Sequence, residues 1–377
     1  MTTDCVTTDP NIPADADAAT PDAPAAPPQL SLLAIFARFL KFGALAWGGP
    51  VAQIGLLRQE LVDRERWVES TRFNRVLSVY QALPGPEATE LCVYFGTIAR
   101  GRIGGLLAGI AFMLPGALFV LGAAWLYVEH GIDGELAAAF AGAQVSAIAL
   151  VLRAVHRIGS HALHVRLHWA VAIAAFAVVM AFWGGGEQRS SSAASEARAD
   201  ATPAELAQVG LTAGSLSFGG AYTTVGFVHA AAVEREGWVT DEQFLDAIAV
   251  SGSLPSPLIV FATFVGYVAG GLGGAIAMTI AIFLPAFAIT LLGHRTLERI
   301  VDTPRVHRLL DLITAAVVGL IAATAVQLLV GTIDTVGAAI LLAGSIVTLV
   351  TWKSRAAIVL VVLGCAATMA IVDLLPS

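Results

Sequence analysis

Charge is scarce in this chain. Only 13% of its 377 residues are Asp, Glu, Lys or Arg, against 57% hydrophobic. No soluble domain of this size needs so much apolar surface, and the runs are long enough to cross a hydrocarbon core of about 30 Å. The mean hydropathy of +0.77 points the same way. Cysteine is nearly missing: Cys5, Cys92 and Cys365 are too few and too scattered for a disulfide framework, and no C-x-x-C occurs. The first 30 residues hold no Lys or Arg, so they lack the basic start of a signal peptide. Rich in Ala, Pro, Asp and Thr, they read as a disordered tail. There is no G-x-x-x-x-G-K-S/T loop, which argues against ATP coupling within the chain. H-E-x-x-H and G-x-S-x-G are absent too, and with them the signs of a protease or esterase. The expected class is an all-α polytopic integral membrane protein, not an enzyme, with no cofactor, no metal site and no nucleic-acid partner.

Proline and glycine, by contrast, stand where a spanning helix would exclude them. Ala82-Leu83-Pro84-Gly85-Pro86-Glu87 interrupts an apolar run from Val76 to Ala99 near its middle. Two prolines remove two backbone donors and bar a continuous helix. In hydrocarbon such a break survives only where it lines a cavity or is covered by protein. It recurs 171 residues later as Leu254-Pro255-Ser256-Pro257. Broken segments in corresponding positions of two halves point to a transporter's binding site.

The repeat is broader than the breaks. An offset of 171 aligns Gly43 to Pro86 with Gly214 to Pro257 without a gap, with 15 identities in 44 positions. These include Gly48-Gly49 on Gly219-Gly220, Gly55 on Gly226, Arg64-Glu65 on Arg235-Glu236, Trp67-Val68 on Trp238-Val239, and Phe73 on Phe244. After a shift of one or two, Gly104-Gly105 meets Gly273-Gly274 and Pro115 meets Pro285. The expected organisation is a tail at 1–30, a first membrane repeat at 31–183, a linker at 184–204 and a second membrane repeat at 205–377. About 10 to 11 hydrophobic segments are expected, broken or re-entrant at Gly48–Pro50, at Pro84–Pro86 and at their repeats.

Charge sets the orientation. Beyond the breaks, spanning segments are expected near 104–128, 136–153 and 168–183, then near 273–293, 309–330, 335–352 and 356–374. The loop Glu129 to Glu135 is acidic, whereas Arg153 to His168 carries Arg153, Arg157, Arg166 and four histidines. The positive-inside rule puts the first loop outside and the second in the cytoplasm. In the second half the sense reverses: His294 to Arg308, with four arginines, is cytoplasmic. The connectors reverse as well, since Arg58 to Arg75 holds five arginines against four acids and Glu234 to Asp246 one against five. The halves are therefore expected to be inverted. Segments 31–57 and 76–99 either re-enter the side they came from or span fully, and the inversion holds both ways.

These residues resemble the chromate transporter family. The likeness rests on Phe42-Gly43-Ala44-Leu45-Ala46-Trp47-Gly48-Gly49-Pro50, on Trp67-Val68, and on Gln81-Ala82-Leu83-Pro84-Gly85-Pro86. The later Gly104-Gly105 and Pro115 and a weaker second copy complete it, over nearly all of 31–375. The second copy departs where Pro50 becomes Ala221 and Gly85 becomes Ser256. The resemblance implies a secondary transporter of the cytoplasmic membrane that exports chromate, with sulfate as competitor, in a fused two-half form. The implied partners are a small inorganic anion and the lipid bilayer, with a homodimer as the candidate assembly.

A helix that opens inside the membrane offers free N–H groups and the positive end of its dipole to an oxyanion. The helices after Pro50, Pro86, Ala221 and Pro257 are the candidates, with Gly48, Gly49, Pro84, Gly85, Gly219, Gly220, Pro255 and Ser256 shaping the approach. Ser217, Thr223, Thr224 and Ser253 are further hydroxyl donors. The plain alternative is that these Gly and Pro residues only kink and pack helices. Intramembrane charge is expected in the first half alone: Arg38, Lys41, Glu87 and Glu90, matched at +171 by Val209, Thr212, Leu258 and Phe261. Arg38 and Lys41 either attract the anion or snorkel to the interface. Glu87 and Glu90 either answer the helix dipole or couple protons to transport. His156, His161, His164 and His168 read as part of a basic loop, Trp67 and Trp238 as interfacial anchors, and Cys92 as packing. An anion channel, a carrier of sulfate or another oxyanion, and a membrane enzyme acting on an anionic headgroup are the rival readings.

Overall fold

The computed structural model describes residues 29–45, 49–131, 135–183, 201–218, 222–301, 304–352 and 357–374. The expected tail at 1–30 and linker at 184–204 lie largely outside them. Every regular element among the described residues is a helix. In the first half these are α1 (Leu32–Ala44), α2 (Gly49–Leu57, with a π-helical end Arg58–Arg64), α3 (Ser70–Ala82), α4 (Glu87–His130), α5 (Glu135–Ala162) and α6 (Arg166–Trp183). The second half has α7 (Pro203–Ser215), α8 (Thr223–His229, with a π-helical end Ala230–Arg235), α9 (Asp241–Ser253), α10 (Phe261–Val301), α11 (Pro304–Thr332), α12 (Val336–Thr351) and α13 (Ala357–Leu374). Helices α1 and α7, and α3 and α9, start and stop 171 residues apart. Their caps correspond too: Ser31 and Thr202 accept from the N–H three residues on, and Thr202 and Thr240 each complete a reciprocal capping pair, with Glu205 and Gln243.

Helix α4 runs for 44 residues, yet it does not run straight. Arg100 (φ −150°, ψ 30°) and Gly101 (φ 66°, ψ −163°) are not helical. Beyond them the chain folds back. A Cβ placed on Gly105 would lie 2.8 Å from the Val93 carbonyl oxygen, and one on Gly109 2.6 Å from the Val93 side chain. Along a straight helix those residues would stand about 18–24 Å apart. So α4 is two antiparallel arms, 87–99 and 102–130, drawn together where Gly96 and Gly104 face each other's carbonyls. Helix α10 repeats the device at Gly270 and Gly271 (φ 60°). There Gly266 and Gly274 make the close approach. Glycine is needed twice over, for the left-handed turn and for backbone contact.

The broken segments fold back on themselves as hairpins. Arg38 of α1 pairs with Glu65 and lies over the Trp67 ring at 5.2 Å, just past the end of α2. Phe73, early in α3, stacks on Phe95, late in the first arm of α4, with ring centres 6.3 Å apart. The outer ends of each hairpin thus meet, while the breaks lie at its tip. Trp67 is buried at 2% exposure and its indole N–H donates to Glu65 at 2.8 Å. It wedges between hairpins instead of anchoring at the interface. Both halves make the tight turn before this tryptophan in the same way. Arg66 (φ 52°) and Gly237 (φ 62°) are left-handed, and Trp67 and Trp238 donate their N–H to Leu61 and Ala232, each at 2.8 Å.

The halves are inverted about a pseudo-twofold axis. The second arms of α4 and α10 pack against each other, and a Cβ on Gly109 would meet Phe287 at 2.6 Å, one on Gly105 Leu291 at 3.0 Å. A step of four back along α4 is matched by a step of four forward along α10. Equivalent helices therefore run antiparallel, which puts the axis in the membrane plane when they span it. Helix α7, in contrast, runs parallel to the second arm of α10, since Gly210 meets Met278 and Gly214 meets Ile282. The spanning helices then cross over: α6 packs on α11, where Gly319 meets Ala172, and α12 packs on α5. Large apolar side chains stay exposed along one face of the second arm of α10, at Leu272, Ile276, Ile280 and Leu284, spaced four apart as on a lipid-facing helix.

Two expectations need correction. Residues 153–162 are the last turns of α5, not a loop, because nothing there breaks a helix, and the loop shrinks to 163–165. Arg153, His156 and Arg157 are therefore helical. Buried charge is also not confined to the first half, since Asp246 of α9 is 2% exposed. It is tolerated there because Tyr127 and Gln144 each donate to it at 2.9 Å.

Single cysteines at 66–72 and at 100–102 are expected to label from one face of the membrane, and those at 234–240 and 270–272 from the other. Labelling of 66–72 and 100–102 from opposite faces would overturn re-entry, and labelling of all four stretches from one face would overturn inversion.

Candidate functional site

The breaks of the two halves meet one another. Pro84 forms a lone antiparallel bridge with Phe218, and the Gly85 N–H donates to the Ser217 carbonyl at 3.4 Å. The second break of one half is thus joined to the first break of the other. The reciprocal contact is made by Gln53, early in α2, whose Nε2 donates to the Ser256 carbonyl at 2.9 Å. Around these joints the second arms bring small residues. A Cβ on Gly116 would strike Ser256, and one on Gly85 would lie 2.8 Å from the Ala286 methyl, where Ala286 is the counterpart of Gly116. Residues at or flanking all four breaks therefore meet at one central junction.

Polar side chains are concentrated there although the surroundings are apolar. Gln53, Glu87, Glu90, Ser217 and Ser256 are all at most 6% exposed. Pro86 precedes α4 with no side-chain cap, and its carbonyl accepts from Thr89 at 2.9 Å and from Glu90 at 3.1 Å. Glu87 is the first residue of the helix, among its free backbone N–H groups. Glu90 stands one turn on, against Gly85, and its two carboxylate oxygens are buried with no hydrogen-bond partner among the described residues. Such an ionisable group is costly in hydrocarbon and implies a proton or a ligand.

The structure brings Pro84, Gly85, Pro86, Pro255, Ser256, Pro257, Glu87 and Glu90 to this junction. Gly49 and Pro50 form the first turn of α2, so that helix opens before Pro50 and not after it. Pro257 is followed by a 3-10 turn at Leu258–Val260 before α10 begins. Gly48, Gly219, Gly220 and Ala221 lie outside the described residues. Three hydroxyls are already donating within the fold: Ser217 to Gly214 O at 2.7 Å, Ser253 to Ala249 O at 2.7 Å and Ser256 to Ser251 O at 3.1 Å. Arg38 is taken up by Glu65 and by the Phe42 and Trp67 rings, and Lys41 is exposed. Neither is joined to the breaks by any contact described. Cys92 is fully buried in packing.

Sequence reasoning passed over the cations of α5. Leu150 packs on Gly252, beside the second break, 3.0 Å from where its Cβ would be. Arg157 is seven residues on, two turns along the same face, and Arg153 lies between them. The signal was available: an i, i+4 arginine pair at the end of an apolar helix, hidden by its resemblance to a basic loop.

A family model described as "Chromate transporter" matches the chain over residues 33–188 and again over 204–370. A "Chromate transport protein" of Pseudomonas aeruginosa is 48% identical over 90% of this chain and 92% of its own length. A "Chromate transport protein" of Cupriavidus metallidurans is 28% identical over 80% of this chain and 83% of its own. A "Probable chromate transport protein" of Synechococcus elongatus is 28% identical over 80% and 85%. No solved structure matches the chain.

The packing at the junction predicts unequal costs for equal substitutions. Gly85 has φ 151° and a crowded Cβ position, with the Glu90 carboxylate 2.9 Å away, whereas Gly101 (φ 66°) has open space around it. Gly85→Ala is expected to cost about 2–4 kcal/mol and Gly101→Ala about 1 kcal/mol. Thermal unfolding of the two variants in detergent tests this, and equal shifts would mean that Gly85 is not packed as described.

Proposed function

The chain belongs to the chromate transporter family and is a multi-pass membrane protein, and on that footing we propose that it exports chromate from the cytoplasm by secondary active transport. The observation that carries this reading is the junction of four mid-segment breaks, lined by buried polar groups and crossed by an inverted pseudo-twofold axis. A solute held at such a junction can be exposed to either side by rocking one half against the other.

The transported oxyanion binds at the helix openings, where Gly48, Gly49, Pro50, Pro84, Gly85, Pro86, Gly219, Gly220, Pro255, Ser256 and Pro257 keep backbone N–H groups free and close. Glu90 carries the coupling proton, with Glu87 beside it. Glu90 has no hydrogen-bond partner among the described residues, so protonation removes the cost of its burial, and an anion nearby favours that protonated state. Lys41 and Arg38 serve the cytoplasmic approach. The working units are the membrane repeats 31–183 and 205–377, in the cytoplasmic membrane, with sulfate as a competing substrate and a homodimer as the assembly.

Chromate flux into proteoliposomes is expected to depend on an imposed pH gradient, to be competed by sulfate, and to lose its gradient dependence in Glu90→Gln. Passive, electrogenic flux of many anions, indifferent to the gradient, would instead identify a channel. Folded protein that moves no chromate at all would sink the substrate assignment.

A further inference from the structure

Each half ties the connector between its two hairpins with a cationic side chain, and the two side chains differ in kind. In the first half Arg58 Nη2 donates to Ser70 Oγ at 3.0 Å and Nη1 to Asn74 Oδ1 at 3.4 Å. Its Nε lies 3.9 Å from Asp63, and its guanidinium stands 5.8 Å from the centre of the Phe73 ring. An offset of 171 turns Arg58, Asp63, Ser70 and Phe73 into His229, Glu234, Asp241 and Phe244. The second set makes the same constellation. His229 Nε2 is 2.7 Å from Asp241 Oδ1, Nδ1 is 3.5 Å from Glu234 Oε1, and the ring packs edge-on to Phe244 at 5.1 Å. What changes is the chemistry of the charge. Arg58 is always protonated, whereas an imidazole titrates near neutral pH. His229 is 2% exposed, and in its neutral form it has one N–H to offer. With that proton on Nε2 for Asp241, the Nδ1 lone pair faces the Glu234 carboxylate, and Nδ1 has no hydrogen-bond partner among the described residues. Only the imidazolium turns an N–H toward both acids.

We propose that His229 is a proton-operated brace: protonated, it ties the end of α8 to Glu234 and to the start of α9, and deprotonated it lets that connector loosen. Helix α8 leads away from the first break of the second half and α9 runs into the second, so the brace joins the outer ends of the two arms that carry them. Loop charge places this connector outside and the Arg58 connector in the cytoplasm. External acid therefore stiffens one half and leaves the other as it was. The remaining charged groups of the elements packed around His229 are engaged elsewhere or absent. Arg235 pairs with Glu236 at 2.9 Å, Asp246 of α9 is held by Tyr127 and Gln144, and Glu205 of α7 closes its capping pair with Thr202. Glu242 follows Asp241 in the first turn of α9. Stretches 312–332 of α11 and 261–293 of α10 carry no acidic or basic side chain. The imidazolium gains two carboxylate partners on folding, so the stabilisation is present in acid. It is lost as pH rises through the folded-state titration, in the range of about pH 5 to 8. The brace goes beyond the transport reading and does not depend on which anion is carried.

The test is hydrogen–deuterium exchange of the purified full chain in detergent from about pH 5 to 8, corrected for the intrinsic pH dependence of exchange, with thermal unfolding as the check on folding. In wild type, protection of amides 230–241 is expected to fall roughly tenfold across the range while that of 59–70 stays level. Asp241 and Glu234 are 59% and 38% exposed, so their neutral variants should fold. Asp241→Asn and Glu234→Gln should each move the fall to lower pH, because one acid no longer favours the imidazolium. His229→Gln should leave protection low at every pH, and His229→Arg, the first-half residue, should keep it high without pH dependence. Should arginine not fit the buried position, the two acid variants still decide the matter. Equal pH profiles for the two connectors, or a wild-type midpoint that neither acid variant moves, would overturn the brace. So would a fall that survives both acid variants and vanishes in Asp246→Asn, since it would belong to the joint with Tyr127 and Gln144. Each of these results leaves the transport reading standing.

Discussion

Hydrocarbon offers no hydrogen bonds, and the architecture follows from that one constraint. Each helix that stops inside the membrane leaves carbonyls at its end and N–H groups at the start of the next. A single break would have to satisfy these alone. Here the breaks satisfy each other: Gly85 N–H goes to Ser217 O, and Gln53 Nε2 goes to Ser256 O. Each of these bonds joins one half of the chain to the other. Neither half could keep its broken helices without its partner, so the two halves form one transport unit even though they arise from a repeat. The hydroxyls of Ser217, Ser253 and Ser256 answer the remaining carbonyls close at hand, which explains why polar residues gather at a place where anion binding need not involve them directly.

Bringing four breaks to one point requires helices to approach more closely than side chains allow. The glycine contacts mark where this happens. Gly96 faces Gly104, Gly266 faces Gly274, Gly43 lies on the Phe112 carbonyl, and Gly214 on that of Ile282. Small residues of this kind give van der Waals contact and little else, and that is the main attraction between helices once lipid has removed the hydrophobic driving force. The same contacts fix direction. Close approach within α4 and within α10 folds each long helix into a hairpin, and the antiparallel contact between the two second arms inverts the halves. The turn of the first hairpin carries Arg100 and Arg102, while that of the second carries Gly270, Gly271 and Leu272. This matches opposite faces under the positive-inside rule.

Much of this was legible in the sequence, for identifiable reasons. The repeat shows because equivalent positions face equivalent packing, down to the shared helix ends at an offset of 171. The breaks show because proline and glycine have few uses inside a membrane segment. Inversion shows in loop charge, which the bilayer reads independently of packing. What did not show was long-range. The run 76–99 could re-enter or span, because a return path depends on Phe73 finding Phe95 and not on local propensity. The turn at Arg100-Gly101 left little local mark, since one glycine between arginines looks like many others. Arg153 and Arg157 look like a cytoplasmic loop because the positive-inside rule and a half-buried cationic helix face predict the same residue type. Trp67 looks like an interfacial anchor because only tertiary structure brings Phe95 and Arg38 around it.

The two halves share a backbone plan but not a chemistry. At the second-half break, Leu258-Ile259-Val260 form a 3-10 turn of apolar side chains where the first half opens α4 on Glu87-Ala88-Thr89. Phe261 stands in place of Glu90, and Ser256 in place of Gly85. Rocking between two inverted states needs only that the halves be alike in shape, since each must fit the place the other has left. Binding and coupling make no such demand. With the proposed anion site at the shared junction, one copy of the charged groups is enough, and a second buried pair of carboxylates would add a further desolvation cost of several kcal/mol per ion without a further substrate to bind. Asymmetry of side chains on a symmetric frame is therefore what the proposed single site requires. It also explains why backbone glycines and prolines repeat between the halves while the acidic residues beside them do not.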